Sequence, residues 1–162
     1  MFEKTGIPAQ DQVLAAFPSA ERLKKGPVAV IECFQKIPCD PCESSCPTGA
    51  IVVGKNINDL PRFDAQKCSG CALCIAKCPG RAIMVLDGSK HDAAVEMKIP
   101  YEFLPLPKPG DMVRALDRAG NHVADVEVLR VQNPPAFDRT PVVTLLVPNA
   151  LAAVVRHIET EG

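Results

Sequence analysis

The sequence predicts an α+β chain: a pseudo-two-fold, cysteine-bearing module of short helices and strands, followed by a small β-rich domain with a C-terminal helix. Three observations carry that expectation. Cys46-Pro-Thr-Gly-Ala-Ile-Val-Val53 and Cys78-Pro-Gly-Arg-Ala-Ile-Met-Val85 match at Cys, Pro, Ala and Ile with a 32-residue offset, the mark of an internal duplication. All 8 cysteines lie between positions 33 and 78, so the remainder of the chain obeys other constraints. That remainder carries β-prone runs and then Leu151, Val154, Val155 and Ile158, which sit at i, i+3, i+4 and i+7. With 47% hydrophobic residues, one Tyr and no Trp, the core must be built from Val, Leu, Ile and Ala. The 16 prolines favour many short elements over long helices.

Residues 1–27 are expected to form a helical arm packed across the module. Pro8 opens a short helix with Val13, Leu14 and Phe17 on its apolar face, closed near Pro18. Ser19 is a suitable N-cap for Ala20 to Lys25, with Glu21 in the first turn and Lys24 and Lys25 in the last. Gly26-Pro27 ends it. Residues 28–88 form the repeated module, entered by the β-branched run Val28 to Ile31 and left by the run ending at Leu86. Phe63 is expected to pair with the strand near Val52. Residues 89–110 form a proline-rich connector, in which Ala93 to Ile99 reads as a strand or connector and the following stretch with Pro100, Pro105, Pro107 and Pro109 reads as extended and semi-rigid. In residues 111–162, Met112 to Leu116, Val123 to Val131 and Val142 to Val147 read as strands, the first two joined by a turn at Asp117 to Asn121. Asn149 is read as the cap of the terminal helix.

The chemistry is concentrated in Cys68-Ser-Gly-Cys-Ala-Leu-Cys-Ile-Ala-Lys-Cys-Pro79, whose C-x2-C-x2-C-x3-C-P spacing is that of a [4Fe–4S] ligand run. Closely spaced cysteines curl around one cluster while turning backbone N–H groups toward its sulfides. Proline after Cys46 and Cys78 keeps each preceding cysteine out of helical geometry and turns the chain away. Gly70 permits the tight turn inside the second loop. Zinc is the competing metal, but zinc ribbons use separated cysteine pairs rather than three in series plus a Cys-Pro. Residues 1–27 hold no apolar stretch behind a basic start, and no run approaches about 18 apolar residues. Neither secretion nor membrane insertion is expected, and in a cytoplasmic setting thiolate ligation takes precedence over disulfides.

Over residues 28–88 the chain resembles the bacterial-type two-cluster ferredoxin family. The resemblance implies two [4Fe–4S] clusters with crossed ligands, the last cysteine of each run serving the other cluster. One cluster would take Cys33, Cys39, Cys42 and Cys78, and the other Cys68, Cys71, Cys74 and Cys46. The first run departs from the family, since Cys33 and Cys39 are separated by Phe34 to Pro38, five residues instead of two. Either the extra residues bulge outward and Cys33 ligates, or Cys33 stands aside for a [3Fe–4S] cluster or a corner ligand such as Asp40.

The formal charge of −1 gives no sign of a nucleic-acid partner. With clusters bound, the net charge would fall to about −5, suiting a protein partner with a positive face. His91, His122 and His157 are scattered and read as surface or partly packed residues. Lys77 and Arg81 flank Cys78, either as solvated charges or as groups that raise the cluster's potential. No Gly-rich dinucleotide loop, P-loop or nucleophile elbow occurs, so the chain shows no catalytic site of its own. The stretch Ile31 to Cys42 is similar to small iron–sulfur subunits of flavin-dependent amino-acid dehydrogenases. The expected function is that of an electron-transfer subunit in a hetero-oligomeric oxidoreductase with a flavoprotein partner. A free ferredoxin-like carrier and a cluster-based sensor or assembly factor are the alternatives.

Overall fold

A computed structural model of the chain describes residues 2–160. Three short helices come first: α1 (Phe2–Thr5), α2 (Gln10–Ala16) and α3 (Ala20–Lys24). Ser19 caps α3 by accepting the Arg22 N–H at 3.1 Å. In α2 the face is narrower than the sequence suggested, because Val13 is buried and Phe17 half-buried while Leu14 faces solvent. Then follow β1 (Val28–Ile31), α4 (Pro41–Ser45), β2 (Ile51–Val52), β3 (Arg62–Phe63), α5 (Leu73–Lys77) and β4 (Ile83–Asp87). The chain continues through β5 (Ala94–Pro100), β6 (Met112–Leu116), β7 (His122–Gln132), β8 (Val142–Pro148) and β9 (His157–Glu159).

Seven strands form one antiparallel sheet in the order β1-β4-β5-β8-β7-β6-β9, and β2 and β3 form a separate pair. Two pairings repeat at an offset of 32. Ile31 faces Ile83 and Val30 faces Met84, while Phe63 faces Ile51 and Arg62 faces Val52.

Alternation along β4 explains how the sheet positions the cysteines. Met84 and Leu86 point into a large core with Val30, Met97, Val128 and Leu145. Ile83 and Val85 point the other way, onto Ala29, Ile51, Ile75 and Val142 beneath α5. β4 is therefore buried on both faces and reads as an unbroken apolar run. The large core also joins Val30 from one end of the sheet with Ile158 from the other, so the sheet curls around it.

The terminal helix expected over 149–158 is not formed. Asn149–Leu151 is a single 3₁₀ turn, the chain turns again through Val154, and His157–Glu159 is β9. The apolar spacing is real, since Val155 and Ile158 are buried, but it does not by itself choose a helix. The open edge of β6 supplies backbone partners, pairing Ala115 with Ile158 and Leu116 with His157. An isolated segment of about ten residues has little helical stability to set against that pairing. Asn149 is used elsewhere, its side-chain amide donating to the Asp92 carbonyl at 3.0 Å.

Candidate cluster-binding site

The cysteines are presented by two local structures that share several features. Helices α4 and α5 carry Cys42 and Cys74, and each ends on a cysteine, Cys46 or Cys78, held extended (φ −83°, ψ 108° and φ −74°, ψ 111°). Pro47 and Pro79 enforce that backbone by excluding the helical basin at the residue before them. The chain then folds back so that the Ala50 N–H donates to Cys46 Sγ and the Ala82 N–H to Cys78 Sγ, each at 3.3 Å. Gly49 and Arg81 hold corresponding left-handed positions, φ +67° and +52°.

Cys68 is addressed from two sides at 3.4 Å, by the N–H groups of Ala29 and Gly70. Gly70 has φ +70°, and a Cβ there would lie 2.4 Å from Pro27 Cβ. Glycine is therefore required both by conformation and by space.

The walls of two cavities sort the eight cysteines into sets of four. Cys33, Cys39, Cys42 and Cys78 line a cavity of about 410 Å³ with Ile31 and Phe34. Cys46, Cys68, Cys71 and Cys74 surround a pocket of about 10 Å³ packed by Ala29, Ile51 and Val85. Both sets exchange the last cysteine of their runs. Cys33 lines the larger cavity despite the five-residue spacing; Asp40 is not among its lining residues. The insertion is accommodated by packing, with Phe34 edge-on to Phe2 (centroids 6.0 Å apart) and the Cys39 N–H donating to the Ile57 carbonyl at 3.1 Å.

The electrostatics follow the same sets. Burial, reinforced by Cys78, pushes the Cys42 thiol up to about 11. Burial with Cys68, Cys71 and Cys46 pushes Cys74 up to about 12. Burial, Cys78 and Cys39 together raise Cys33. Cys46 moves the other way. Burial is its largest influence, but the Thr48 hydroxyl and the N–H groups of Thr48, Ile51 and Ala50 outweigh it and lower the thiol. Crowded thiols of this kind resist ionising together unless cations join them.

Among the described residues, no three Cys, His, Asp or Glu side chains converge tightly enough for one metal ion. The donor chemistry fits a larger group: four thiols around each cavity, no imidazole on the smaller one, and N–H groups aimed at sulfur. His91 and His122 lie away from both sets, paired with Glu96 and Asp125 at 3.1 and 2.8 Å. His157 lines the larger cavity and stacks on Tyr101, its pKa lowered by burial and by Arg81. Of the cations flanking Cys78, Lys77 pairs with Asp138 at 3.7 Å, and Arg81 lies over the Phe103 ring and pairs with Glu102.

Three supporting groups carry no signal in the sequence. Arg22, only 8% exposed, donates to the carbonyls of Ala65 (2.8 Å), Gly26 (3.0 Å), Pro27 (3.1 Å) and Cys68 (3.0 Å), fastening the arm to the second loop. Glu43 on α4 accepts the N–H groups of Val53 and Gly54 at 2.8 and 3.1 Å. Glu32, next to Cys33, binds Arg118 and Arg156. An arginine or glutamate in an otherwise ordinary stretch gives no local hint of such distant partners.

Residues 33–82 match the family model described as a 4Fe-4S dicluster domain, which identifies this segment as a ferredoxin-type 4Fe–4S-binding domain. The chain is 43% identical over 47 residues to a subunit of the ion-translocating oxidoreductase complex of Methanosarcina acetivorans, covering 29% of this chain and 17% of that protein. It is 42% identical over 55 residues to a subunit of the Na(+)-translocating ferredoxin:NAD(+) oxidoreductase complex of Acetobacterium woodii, covering 34% and 16%. It is 35% identical over 52 residues to the ferredoxin-type protein NapF of Escherichia coli, covering 31% of this chain and 32% of that one. The chain thus spans no more than about a third of these relatives' lengths. No solved structure matches.

Proposed function

We propose that this chain is an electron-transfer iron–sulfur subunit of a multi-subunit oxidoreductase. In that role it binds one [4Fe–4S] cluster through Cys33, Cys39, Cys42 and Cys78 and a second through Cys68, Cys71, Cys74 and Cys46. The observation that carries this reading is the crossed sorting of the cysteines into two four-thiol cavities. The paired strands, helices and N–H···S contacts repeated at a 32-residue offset support a pseudo-two-fold module. When bound, each cluster supplies one-electron chemistry at a potential set by burial, hydrogen bonds to sulfur and nearby charge.

The protein's own residues do the rest. α4 and α5 orient Cys42 and Cys74, the Cys-Pro corners send Cys46 and Cys78 across to the opposite set, and Ala29, Ala50, Gly70 and Ala82 direct N–H groups at sulfur. A subunit role is favoured over a free carrier by the arm and by the large sheet beyond residue 88, which a minimal carrier does not require. Two of the relatives are named as subunits of complexes, which favours the same role. The partner assigned on this reading is a flavoprotein. Among the described residues no helix is long and apolar enough to cross a membrane, and thiolate ligation suits a cytoplasmic setting.

The test is anaerobic purification, with iron and sulfide counting and EPR of the reduced protein. Two cubanes per chain are expected, together with a co-purifying flavoprotein from the native source. Zinc in place of iron would overturn the cluster assignment, and a redox-active monomer without partners would overturn the subunit role. In Cys33→Ser, one cubane should be lost or converted to a three-iron form; full loading of both would remove Cys33 from the ligands.

A further inference from the structure

Glu32, Arg118 and Arg156 form a buried triad with side chains 9%, 15% and 7% exposed. Arg118 donates from Nε to Glu32 Oε2 at 3.1 Å and from Nη1 to the Ala153 carbonyl at 2.7 Å, and its Nη2 also reaches Glu32. Arg156 donates from Nη2 to Glu32 Oε1 at 3.0 Å and from Nη1 to the Ala152 carbonyl at 2.9 Å. Two guanidiniums and one carboxylate leave a surplus positive charge, which is costly to bury unless a negative group faces it.

The triad lines the cavity of Cys33, Cys39, Cys42 and Cys78. Of the other charges on that wall, Arg81 and Asp59 are paired with opposite charges nearer solvent, and Asp117 is held by hydrogen bonds without a cation. Arg81 is 34% exposed and pairs with Glu102, Asp59 pairs with Lys36 at 3.9 Å, and Asp117 accepts N–H groups of its own exposed turn. The pocket of Cys46, Cys68, Cys71 and Cys74 has no Asp, Glu, Lys or Arg on its wall, although Arg22 donates to the Cys68 carbonyl behind it at 3.0 Å. A cluster held by four thiolates is a net anion whose charge grows by one on reduction, so a fixed cation beside it favours the reduced form.

We infer that the Glu32–Arg118–Arg156 triad is a fixed countercharge that raises the reduction potential of the Cys33-set centre. This rests on the proposed function. The three are positioning residues, acting through the field at the site. They also pass that role to residues far along the chain, since Arg118 and Arg156 stand 86 and 124 positions from Glu32.

The test is an EPR-monitored redox titration of the loaded protein, with the Cys33-set signal identified as the one disturbed in Cys33→Ser. Arg118→Gln should weaken reduction of that centre about tenfold, or about 59 mV for a one-electron couple, and leave the other centre in place. Glu32→Gln should shift the same centre in the opposite direction, and Arg118→Lys should stay near wild type. Loosened packing alone would move Arg118→Gln and Glu32→Gln the same way. That outcome, equal shifts in both centres, or no shift would each overturn the inference. If Glu32→Gln fails to load, the contrast between Arg118→Gln and Arg118→Lys decides. Wild-type protein without two clusters would instead defeat the proposed function.

Discussion

Replacing Gly70 by alanine measures how tightly the end of the arm is packed on the second cysteine loop. Two penalties act together. At φ +70° a non-glycine residue costs about 1–2 kcal/mol. The new Cβ would also lie 2.4 and 2.6 Å from Pro27 Cβ and Cγ and 2.8 Å from its backbone carbonyl carbon. The proline ring and backbone cannot swing aside, so overpacking adds about 1–3 kcal/mol. Gly49→Ala supplies the control, because Gly49 has nearly the same φ, +67°, and nothing within 4 Å of an added Cβ. The total for Gly70→Ala is about 2–5 kcal/mol against about 1–2 for Gly49→Ala. For a chain of this size each kcal/mol lowers the melting midpoint by about 2–4 °C. Anaerobic thermal melts with iron counts would separate the two. Equal losses for both variants would refute the steric argument.

Arg22→Met keeps an apolar stem but removes the donors to the Ala65, Gly26, Pro27 and Cys68 carbonyls. A loss of about 2–4 kcal/mol is expected, with limited proteolysis cutting within residues 1–27 far faster than in wild type. Glu96 provides a pH test. Its burial pushes the carboxyl up, but Arg130, His91 and Lys90 outweigh it and hold the group below 4.5. Its stabilising contribution is therefore complete above about 4.5 and lost as pH falls through the lower folded value. In Glu96→Gln, melting midpoints followed down through that range should fall less steeply than in wild type.

The parts of the molecule legible in sequence are those encoded locally. Cysteine spacing, the Cys-Pro corners and the β-branched runs each act within a few residues. That is why the 4Fe–4S-binding segment and the strands at Met112 to Leu116 and Val142 to Val147 can be placed from sequence. Ser19 is readable as a cap for the same reason. The terminal segment misleads because Val155 and Ile158 satisfy a helical period, while the deciding partner, the β6 edge, lies about forty positions earlier. Arg22, Glu32 and Arg156 are silent because a charged side chain bound to distant carbonyls or to a distant opposite charge looks like surface charge until its partner is found. Lys77 and Arg81 draw the eye because they sit beside Cys78 in sequence, yet both find their partners at the surface.

Strand β4 has a practical meaning for anyone hoping to transplant this redox module into another protein. It runs out of the cluster segment and zips directly onto β5, with Val85 opposite Lys98, Leu86 opposite Met97 and Asp87 opposite Glu96. Scissors placed after Gly88 would strip that strand and leave an apolar, sticky rim inviting a second molecule to pair with it. The portable cassette is therefore not the cysteine-bearing segment but that segment with its sheet attached.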